Sequence, residues 1–579
     1  MTAPSPEILA TDPVSFTITA NGEALQSSVQ VWAIEVWAGV NRLPRARLVI
    51  SDGSAASEDF PISDSSMLVP GVALTIALGY GSGDTTVFSG VIFRQGLEVS
   101  ANGPSRLVVE ATDKAMAMSL ARQNAVYQNV TDSQVCEKLI QAAGLSAKVT
   151  ATSTTHECIV QYYASAWDTL VLRAEASGMV VTVNDGTVTV APPDTSTSPV
   201  LTLTYGQSIL GFRAAMDAAT QFTASAVQSF AWDPSTQALV QSGRASADVT
   251  TPGNISSATL AGVFNVATYL QQSAGALQAA ELTQWSSAEL LKSQLAKIRG
   301  EVRIQGSALV VPGCMVALAG LGDRFNGNAY VSAVNHRLVD GLWRTTAELG
   351  LSPNWFAASA TNIAAPGASG QLPPANNLQT GVVKQIVQDP DGEFRVLVTL
   401  PLLQAASDLG VWARFGSYYA SNGVGVAFFP EIGDEVVVAF LSGDPRYPVI
   451  LGSLYSKANP PPSPPANPNN TKMIMSKSKM HIDFIEDDKI VQIVTPANQS
   501  VIINDTAKSV TLKDANGNSI TLGDGGITID SASNIKLTAQ GSITIAAQTS
   551  LSASGTTEAT FSASSGMTQV KGATVALNP

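Results

Sequence analysis

The chain has 579 residues and a formal net charge of −13, and its composition excludes several broad classes of protein. Hydrophobic residues make up 45% of the chain and charged residues only 13%, which excludes a disordered or collagen-like protein and favours burial between subunits. The 45 acidic residues outnumber the 32 basic ones, so nucleic acid is not an expected partner, because phosphate binding depends on Lys and Arg. At roughly 150 residues per domain, the length predicts about four domains.

Cysteine content and the N-terminus indicate where the protein is made. Cys136, Cys158 and Cys314 are too few and too scattered for a disulfide framework. The N-terminus lacks the basic start and apolar run of a secretory signal. The apolar stretches near 67–78 and 308–320 contain Pro-Gly and are shorter than the roughly 18 residues that cross a bilayer. We therefore expect synthesis in the cytoplasm, without a signal peptide, as a soluble protein.

An internal repeat connects two parts of residues 1–357. A Val-Pro-Gly turn followed by an alternating apolar strand occurs at 68–78 and again at 310–320, and each copy continues into a loop and a second strand. The repeat predicts two related β-barrels. Barrel one is assigned to 1–115 with completion by 200–244, and barrel two, with a connecting helix near 277–298, to 245–357.

Between the predicted barrels, residues 116–199 have the pattern of an α/β insert. One helix is expected to begin after Thr131, a good N-cap residue, and to stop at Gly144. A second is expected from about Ser165 to Gly178.

Short alternating strands return after a linker at 358–377. Five to six of them within 378–456 predict a small β-barrel. Residues 457–480 are rich in Pro and Asn and predict a stiff, extended linker.

The clearest pattern is an apolar pair that recurs every eight positions near the C-terminus, within a predicted needle at 481–579. Residues two apart share one face of a strand, so each octad predicts one short strand and a polar turn. The larger members are assigned to the core of the needle: Ile527, Ile529, Ile535, Leu537, Ile543, Ile545, Leu551, Phe561, Met567, Val575 and Leu577. Looser pairs precede them, at Ile482 and Phe484, Val491 and Ile493, Val501 and Ile503, Val510 and Leu512, and Ile520 and Leu522.

Two apolar side chains per octad do not fill the interior of a single coil. Three identical chains wound together place every pair on a shared axis and pair every strand across chains. The alternatives are a single-chain parallel β-helix and a flat sheet.

Candidate chemistry is sparse. The three histidines, His156, His336 and His481, have no partner at metal-ligand spacing. Gly79, Gly81 and Gly83 precede a strand, whereas a phosphate-binding loop precedes a helix. We therefore predict no catalytic, cofactor-binding or metal-binding residues and no cofactor.

Several stretches resemble the spikes of phage baseplates and the VgrG proteins. Residues 378–456, with Phe-Pro-Glu-Ile-Gly-Asp-Glu-Val at 429–436 and Gly-Asp-Pro-Arg-Tyr-Pro at 443–448, resemble their barrel of the oligonucleotide/oligosaccharide-binding (OB) type. Residues 127–192, with Trp-Asp-Thr-Leu at 167–170, resemble their hub domain. The resemblance implies a mainly β fold: tandem hub β-barrels with an α/β insert, an OB-type barrel, and a C-terminal triple-stranded β-helix formed by a homotrimer.

For function, the resemblance implies the structural spike of a contractile injection machine, most like the extracellular injection particles. The trimeric hub would dock on a hexameric, Hcp-like inner tube among baseplate proteins. Its six similar barrels would match the sixfold tube. The needle would pierce the target membrane and carry a PAAR-type tip protein on Val575, Leu577, Asn578 and Pro579.

The alternative is a trimeric, tail-associated peptidoglycan or polysaccharide hydrolase. Some relatives of this family carry an inserted or appended catalytic domain. Here only a linker separates barrel from needle, and the sequence stops after the last octad, so we expect no enzyme.

Overall fold

The computed structural model describes residues 12–81, 83–101, 103–402 and 409–577. Strands dominate it, and the predicted mainly β fold class is confirmed. The chain divides into two compact units, residues 1–373 and 374–579.

The first unit begins with seven strands that we call half one. They surround an apolar core in which Ile34, Leu48 and Ile76 are fully buried. The strands are β1 (Val14–Ala20), β2 (Glu23–Ala24), β3 (Val31–Gly39), β4 (Arg42–Ser51), β5 (Ala73–Tyr80), β6 (Thr85–Glu98) and β7 (Arg106–Thr112).

The α/β insert follows and has its own core. Thr131 caps the helix after it, since its hydroxyl accepts from the Gln134 N–H while the Gln134 side chain accepts from the Thr131 N–H, and Gly144 at φ +72° follows the helix end. Both predicted helices of this region are present. The elements are α1 (Ala117–Leu120), β8 (Arg122–Thr131), α2 (Asp132–Ala142), β9 (Ser146–Val149), β10 (Thr155–Ser165), α3 (Ala166–Ala176), β11 (Val180–Asn184) and β12 (Thr187–Ala191).

The remaining elements of the first unit form half two and a small sheet inserted into it. Half two consists of β13 (Leu201–Thr204), β14 (Ile209–Met216), β18 (Ile298–Gln305), β19 (Met315–Ala319), β20 (Gly327–Val339) and β21 (Leu342–Leu349). The inserted elements are β15 (Val227–Asp233), β16 (Ala238–Gln241), α4 (Ser257–Phe264), β17 (Tyr269–Ser273) and the predicted connecting helix, α5 (Ala279–Leu295). The short helix α6 (Phe356–Ser359) follows.

Halves one and two are joined into a single 13-stranded sheet. Its order is β14-β18-β21-β20-β3-β4-β7-β6-β5-β1-β2, and β13 and β19 extend it from β20. The junction is the antiparallel pairing of β20 with β3, where Leu338 lies opposite Ile34. Leu338 and Trp343 come from half two but are buried in the core of half one, so the two halves share packing as well as hydrogen bonds.

The predicted completion of barrel one by residues 200–244 is wrong. β13 pairs with β19 and β14 pairs with β18, both in half two, while β15 and β16 form a separate sheet with β17. The physical reason is the register of β14 on β18, which buries the apolar residues of half two around their own core.

In the second unit, the small barrel is closed and is followed by a meander. The barrel order is β22-β23-β24-β28-β27, around Val396, Val398 and Val436. The strands are β22 (Gln379–Gln385), β23 (Val396–Thr399), β24 (Val411–Phe415), β27 (Glu435–Phe440) and β28 (Pro448–Ser453), with a hairpin of β25 (Ala420–Ser421) and β26 (Val424–Gly425). The meander consists of β29 (Thr471–Met475), β30 (His481–Ile485), β31 (Ile490–Val494), β32 (Ser500–Asn504), β33 (Ser509–Lys513), β34 (Ser519–Gly523) and β35 (Gly526–Asp530).

Candidate functional site: the uncovered apolar face of the C-terminal region

Strands β30 to β35 place the looser apolar pairs directly beside one another. Ile482 lies opposite Ile493, Ile493 opposite Val501, and Val501 opposite Leu512. The second row runs in the same way from Phe484 through Val491, Ile503, Val510 and Leu522 to Ile527. Because cross-strand neighbours project to the same side, the pairs form two parallel rows on one face of the meander. We call this surface the apolar ladder.

A single chain does not cover the apolar ladder. Ile503 is 50% exposed, Ile529 is 55% exposed, and the other ladder residues from Phe484 onward are also largely uncovered or half-buried. Isolated exposed apolar side chains are ordinary on a protein surface, but a contiguous apolar strip of this length marks an interaction surface.

The octads continue the ladder beyond β35. Between Ser531 and Leu577 the described chain contains no strand, and the predicted needle-core residues from Ile535 to Leu577 are all exposed, with Phe561 at 74%. One chain supplies no neighbouring strand for an eight-residue repeat, so its backbone groups have to be paired by other chains. The predicted tip residues Val575 and Leu577 are exposed as well. Asn578 and Pro579 lie outside the described residues.

The face opposite the ladder is mixed, with polar side chains beside Ile485, Ile490, Val494 and Ile502. Asp483 lies opposite Gln492, whose amide donates to Asp483 Oδ2 at 2.7 Å, and the same row continues through Ile502, Thr511, Thr521 and Thr528. His481 is on this face too, with Nε2 3.4 Å from Asp483 Oδ2. Asp483 is buried, and up to β34 this mixed face is less exposed in one chain than the ladder, which is the more apolar of the two faces.

A buried ionic cluster in the first unit is the strongest candidate for acid–base chemistry. His156 lies between two carboxylates: Nε2 is 3.2 Å from Asp132 Oδ2, and Nδ1 is 3.2 Å from Glu281 Oε1. Arg173 Nε donates to Asp132 Oδ1 at 2.6 Å, and the Ser177 hydroxyl donates to Asp132 Oδ2 at 2.8 Å. The cluster connects α2, β10 and α3 with α5.

The electrostatics of this cluster fit a structural bridge. Hydrogen bonds to Asp132 and then to Glu281 raise the pKa of His156 to about 9. Burial alone would raise the pKa of Asp132, but the bond from His156 and the Arg173 guanidinium lower it to about 2. At neutral pH the imidazole is therefore a cation held by two carboxylates, and it has no free nitrogen to act as a base. The Ser177 hydroxyl bonds to the carboxylate and not to the histidine, so the group is not a nucleophile–base pair.

His336 also has a structural environment. His336 is fully surrounded by protein, burial lowers its pKa to about 4, and its Nδ1 lies 3.0 Å from the Thr345 hydroxyl.

Among the described residues, no three His, Cys, Asp or Glu side chains form a group that would hold a metal ion. In the same residues, no helix is both long and apolar enough to span a membrane.

Three family descriptions match parts of this chain. Residues 10–340, more than half of the chain, match the Alg8 N-terminal domain. Residues 379–455 match the type VI secretion system/phage-baseplate injector OB domain, and residues 490–557 match the phage baseplate V C-terminal trimerisation domain. The trimerisation match covers the apolar ladder from β31 onward and the first octads.

Individual relatives share shorter stretches. The type VI secretion system spike protein VgrG4b of Pseudomonas aeruginosa is 46% identical over 51 residues, which are 9% of this chain and 6% of that protein. VgrG1a of the same organism is 35% identical over 77 residues, 13% of this chain and 12% of that protein. The matched segments are thus a small fraction of these curated relatives. A 43 kDa tail protein of prophage MuSo2 from Shewanella oneidensis is 12% identical, with a TM-score of 0.44, over 59% of this chain and 98% of that one.

The apolar ladder generates a prediction about assembly. Replacing both Ile535 and Ile543 by Asp should disrupt the oligomer, because the change places charge at two successive layers of an apolar interior. We expect light scattering to show a shift from trimer to monomer. The free energy of assembly should fall by several kcal/mol, on the order of what the burial of two Ile side chains per chain contributes. The matched control replaces Lys536 and Thr544, one position along on the outer face, by Asp and should leave the trimer intact. A trimer with unchanged melting in the Ile535→Asp, Ile543→Asp variant would contradict the shared-axis arrangement.

The cluster around His156 predicts a defined pH dependence. Because the folded-state pKa is raised to about 9 from an ordinary 6.5, its contribution to stability is complete below about pH 6.5 and is lost as the pH rises through 9. His156→Gln should therefore cost about 3 kcal/mol at pH 6 and progressively less towards pH 10, at 1.36 kcal/mol per pKa unit. Denaturant unfolding at several pH values, with His481→Gln as the control, measures the difference, and a cost that does not change with pH would refute the assignment.

Proposed function

The chain belongs to the family of the Alg8 N-terminal domain and is a VgrG-like spike, and from this premise we propose that three copies form the structural spike of a contractile, phage tail-like injection machine. The observation that carries the proposal is the apolar ladder, which one chain leaves uncovered along six consecutive strands. Burying it against two other copies stabilises the assembly by the hydrophobic effect. The order of the chain then puts a hub of two similar halves first, an OB-type barrel next and a trimeric needle last.

In this proposal the parts have separate mechanical roles. The hub docks on the hexameric, Hcp-like inner tube within the baseplate, and the similarity of halves one and two lets three chains present six similar surfaces. The needle transmits the thrust of contraction and pierces the target membrane without remaining in it. In the assembled trimer, backbone hydrogen bonds between chains stiffen the octads, which one chain leaves without strand partners, against bending and local unfolding.

We also propose where the protein acts. It is made in the cytoplasm, incorporated into an injection particle and, in the extracellular subtype of these machines, released with that particle. Nucleic acid has no part in this function, which agrees with the net charge of −13.

The tip is proposed to carry a PAAR-type cap protein. Val575 and Leu577 form the last apolar pair of the repeat in this sequence, and both are exposed in a single chain. In the trimer, three such pairs surround an axis, and their strand edges offer unpaired N–H and C=O groups to a partner. A cap with three similar faces pairs with all three edges at once and covers Leu577.

Deleting residues 571–579 tests the cap site. The shortened protein should remain a folded trimer, because the other octads and the ladder are intact, but it should lose the cap protein in a pull-down and inject poorly. A deletion of one complete octad, 535–542, is the control, since it shortens the needle and preserves the last pair. Full retention of the cap by the 571–579 deletion would place its docking site elsewhere on the spike.

The role is proposed to be structural and not enzymatic. The homologues reported above are spike proteins, and the cluster richest in acid–base groups is held in fixed charge states by its own hydrogen bonds. The purified trimer should therefore leave peptidoglycan and bacterial polysaccharide uncut in a zymogram at neutral pH. Turnover that disappears when a single carboxylate of residues 12–456 is replaced by its amide would favour the alternative, a trimeric tail-associated hydrolase.

A further inference from the structure

Halves one and two have the same strand order. In half one the path is β3-β4-β7-β6-β5-β1, and in half two it is β14-β18-β21-β20-β19-β13. The Val-Pro-Gly turns also match: the Gly71 N–H donates to the Ile92 carbonyl and the Gly313 N–H donates to the Val331 carbonyl, both at 2.8 Å. The one reversal is the last pair, since β1 and β5 are antiparallel but β13 and β19 are parallel.

The registers repeat as well as the order. β6 pairs with β7 through a bulge between Ile92 and Arg94, and β20 pairs with β21 through a bulge between Val331 and Ala333. β3 pairs with β4 through a bulge between Val31 and Ala33, and β14 pairs with β18 through a bulge between Ile209 and Gly211. A list of equivalent residues follows directly: Glu98 corresponds to Arg337, Val99 to Leu338, Arg213 to Glu35 and Phe212 to Ile34.

The junction inside the chain uses one edge from each half. Residues 333–339 of β20 extend past β19 and pair antiparallel with residues 33–39 of β3. Arg337 lies opposite Glu35 there, with Nε 3.0 Å from Oε1. Beside this pair, Leu338 and Ile34 are buried in a common core.

The equivalent edges at the other ends of the sheet lack partners within the chain. Residues 94–98 of β6 extend past β5, which pairs only as far as Val91, and the described strands include none on that side. β14 pairs with β18 on one side and with no described strand on the other. Leu97 is 48% exposed and Val99 is 71% exposed, although Leu338, the counterpart of Val99, is buried.

We infer that these two edges pair with each other between neighbouring copies, so that residues 95–99 of one chain lie antiparallel to residues 212–216 of the next. Repeating the register of the internal junction puts Glu98 opposite Arg213, Val99 opposite Phe212 and Leu97 opposite Ala214. The occupant of each edge is a second copy of this chain. The inference rests on the proposed trimer, because three copies joined in this way alternate halves one and two around a closed ring of six.

Charge complementarity supports this register. The ion pair of the internal junction, Arg337 with Glu35, is reproduced at the new junction with the charges exchanged, as Glu98 with Arg213. Both side chains reach solvent: Arg213 is 86% exposed and Glu98 is 56% exposed, although each also makes a surface ion pair in its own chain, with Glu301 at 3.8 Å and with Arg47 at 3.5 Å. A register shifted by one residue would turn the two side chains to opposite faces of the sheet and lose the pair.

The side-chain packing at the edge of half two supports the same pairing. Phe212 lies at the border of the half-two core, and its ring makes an edge contact with Phe325 at a centroid distance of 6.0 Å. Val99 of the next copy would cover it, as Leu338 covers Ile34 inside the chain. The pairing therefore satisfies two strand edges and buries two apolar side chains in one step.

Cysteine cross-linking tests the inference on the full-length protein. In a Cys158→Ser background, Glu98→Cys with Arg213→Cys should form disulfides between chains, because directly opposed residues of antiparallel strands have Cα atoms about 4.5–5.5 Å apart, within the range of a disulfide. A non-reducing gel should show most of the protein as covalent trimer, the product of a closed ring. Glu35→Cys with Arg337→Cys is the matched internal pair and should cross-link without changing the mass. Leu97→Cys with Arg213→Cys, shifted by one residue, should cross-link poorly.

The outcomes separate this inference from the proposed function. If native mass spectrometry shows a trimer but the Glu98→Cys, Arg213→Cys variant runs as a monomer on the gel, the edge pairing is wrong and the trimeric spike stands. Equal cross-linking by the shifted pair would also overturn the register. A monomeric mass without cross-links would contradict both proposals.

Charge reversal provides a second test that needs no disulfide. Glu98→Arg and Arg213→Glu each also oppose like charges within the chain, at Arg47 and Glu301, so both single variants should lower the melting temperature of the hub transition. The double variant should melt higher than the sum of the two single losses predicts, because it pairs unlike charges across the junction. Glu157→Arg, at an exposed position on β10 away from both edges, is the control and should have no effect. Losses that simply add in the double variant would count against the Glu98–Arg213 pair.

Discussion

The structure depends on one constraint: a strand edge carries N–H and C=O groups that need partners, and an apolar sheet face needs a cover. Within one chain the constraint is satisfied in the OB-type barrel and is left open in the first unit and in the C-terminal region. In the first unit the open groups belong to β14 and to the end of β6. In the second unit they belong to the apolar ladder and to the octads after β35. The open edges and the uncovered face are thus the parts of the fold that the proposed trimer would pair and cover.

The OB-type barrel shows the contrast. Its five main strands close on themselves, so no main edge is free, and Val396, Val398 and Val436 are fully enclosed by one chain. Such a domain needs no partner for stability. The interactions that hold three chains together are consequently concentrated in the segments on either side of it.

The features that the sequence revealed are those with a local period. Apolar residues two apart and eight apart are visible in the sequence, and the looser pairs from Ile482 to Leu522 are indeed cross-strand neighbours on one face. Caps such as Thr131 and stops such as Gly144 act within one turn of helix and were equally readable. The Val-Pro-Gly repeat signalled the duplication because it sits at a turn with the same hydrogen bond in both halves.

Features that depend on distant pairing could not be read in this way. Residues 200–244 were assigned to the wrong half because β14 pairs with β18, and a whole inserted sheet separates the two in the chain. In the cluster around His156, Asp132, Arg173 and Glu281 come from three different helices. No local sequence pattern around these residues predicts the contacts between them. The positions of the predicted needle core relative to other chains remain a prediction, since a single chain contains only one third of that core.

The exchanged ion pair has a consequence for how a ring could close. Each half contributes two edge strands to the junctions. One edge is β6 in half one and β20 in half two, and the other edge is β3 in half one and β14 in half two. If half one met another half one, Glu98 would face Glu35, and if half two met another half two, Arg337 would face Arg213. Both homotypic contacts oppose like charges, whereas both mixed contacts oppose unlike charges, and the difference selects against the wrong arrangement even though each pair is individually weak at a surface. Because β20 and β3 are already paired within each chain, only β6 and β14 remain for a neighbour, and this connectivity sets the alternation of halves. The charges add a penalty against a neighbouring edge that would displace the internal β20–β3 pairing.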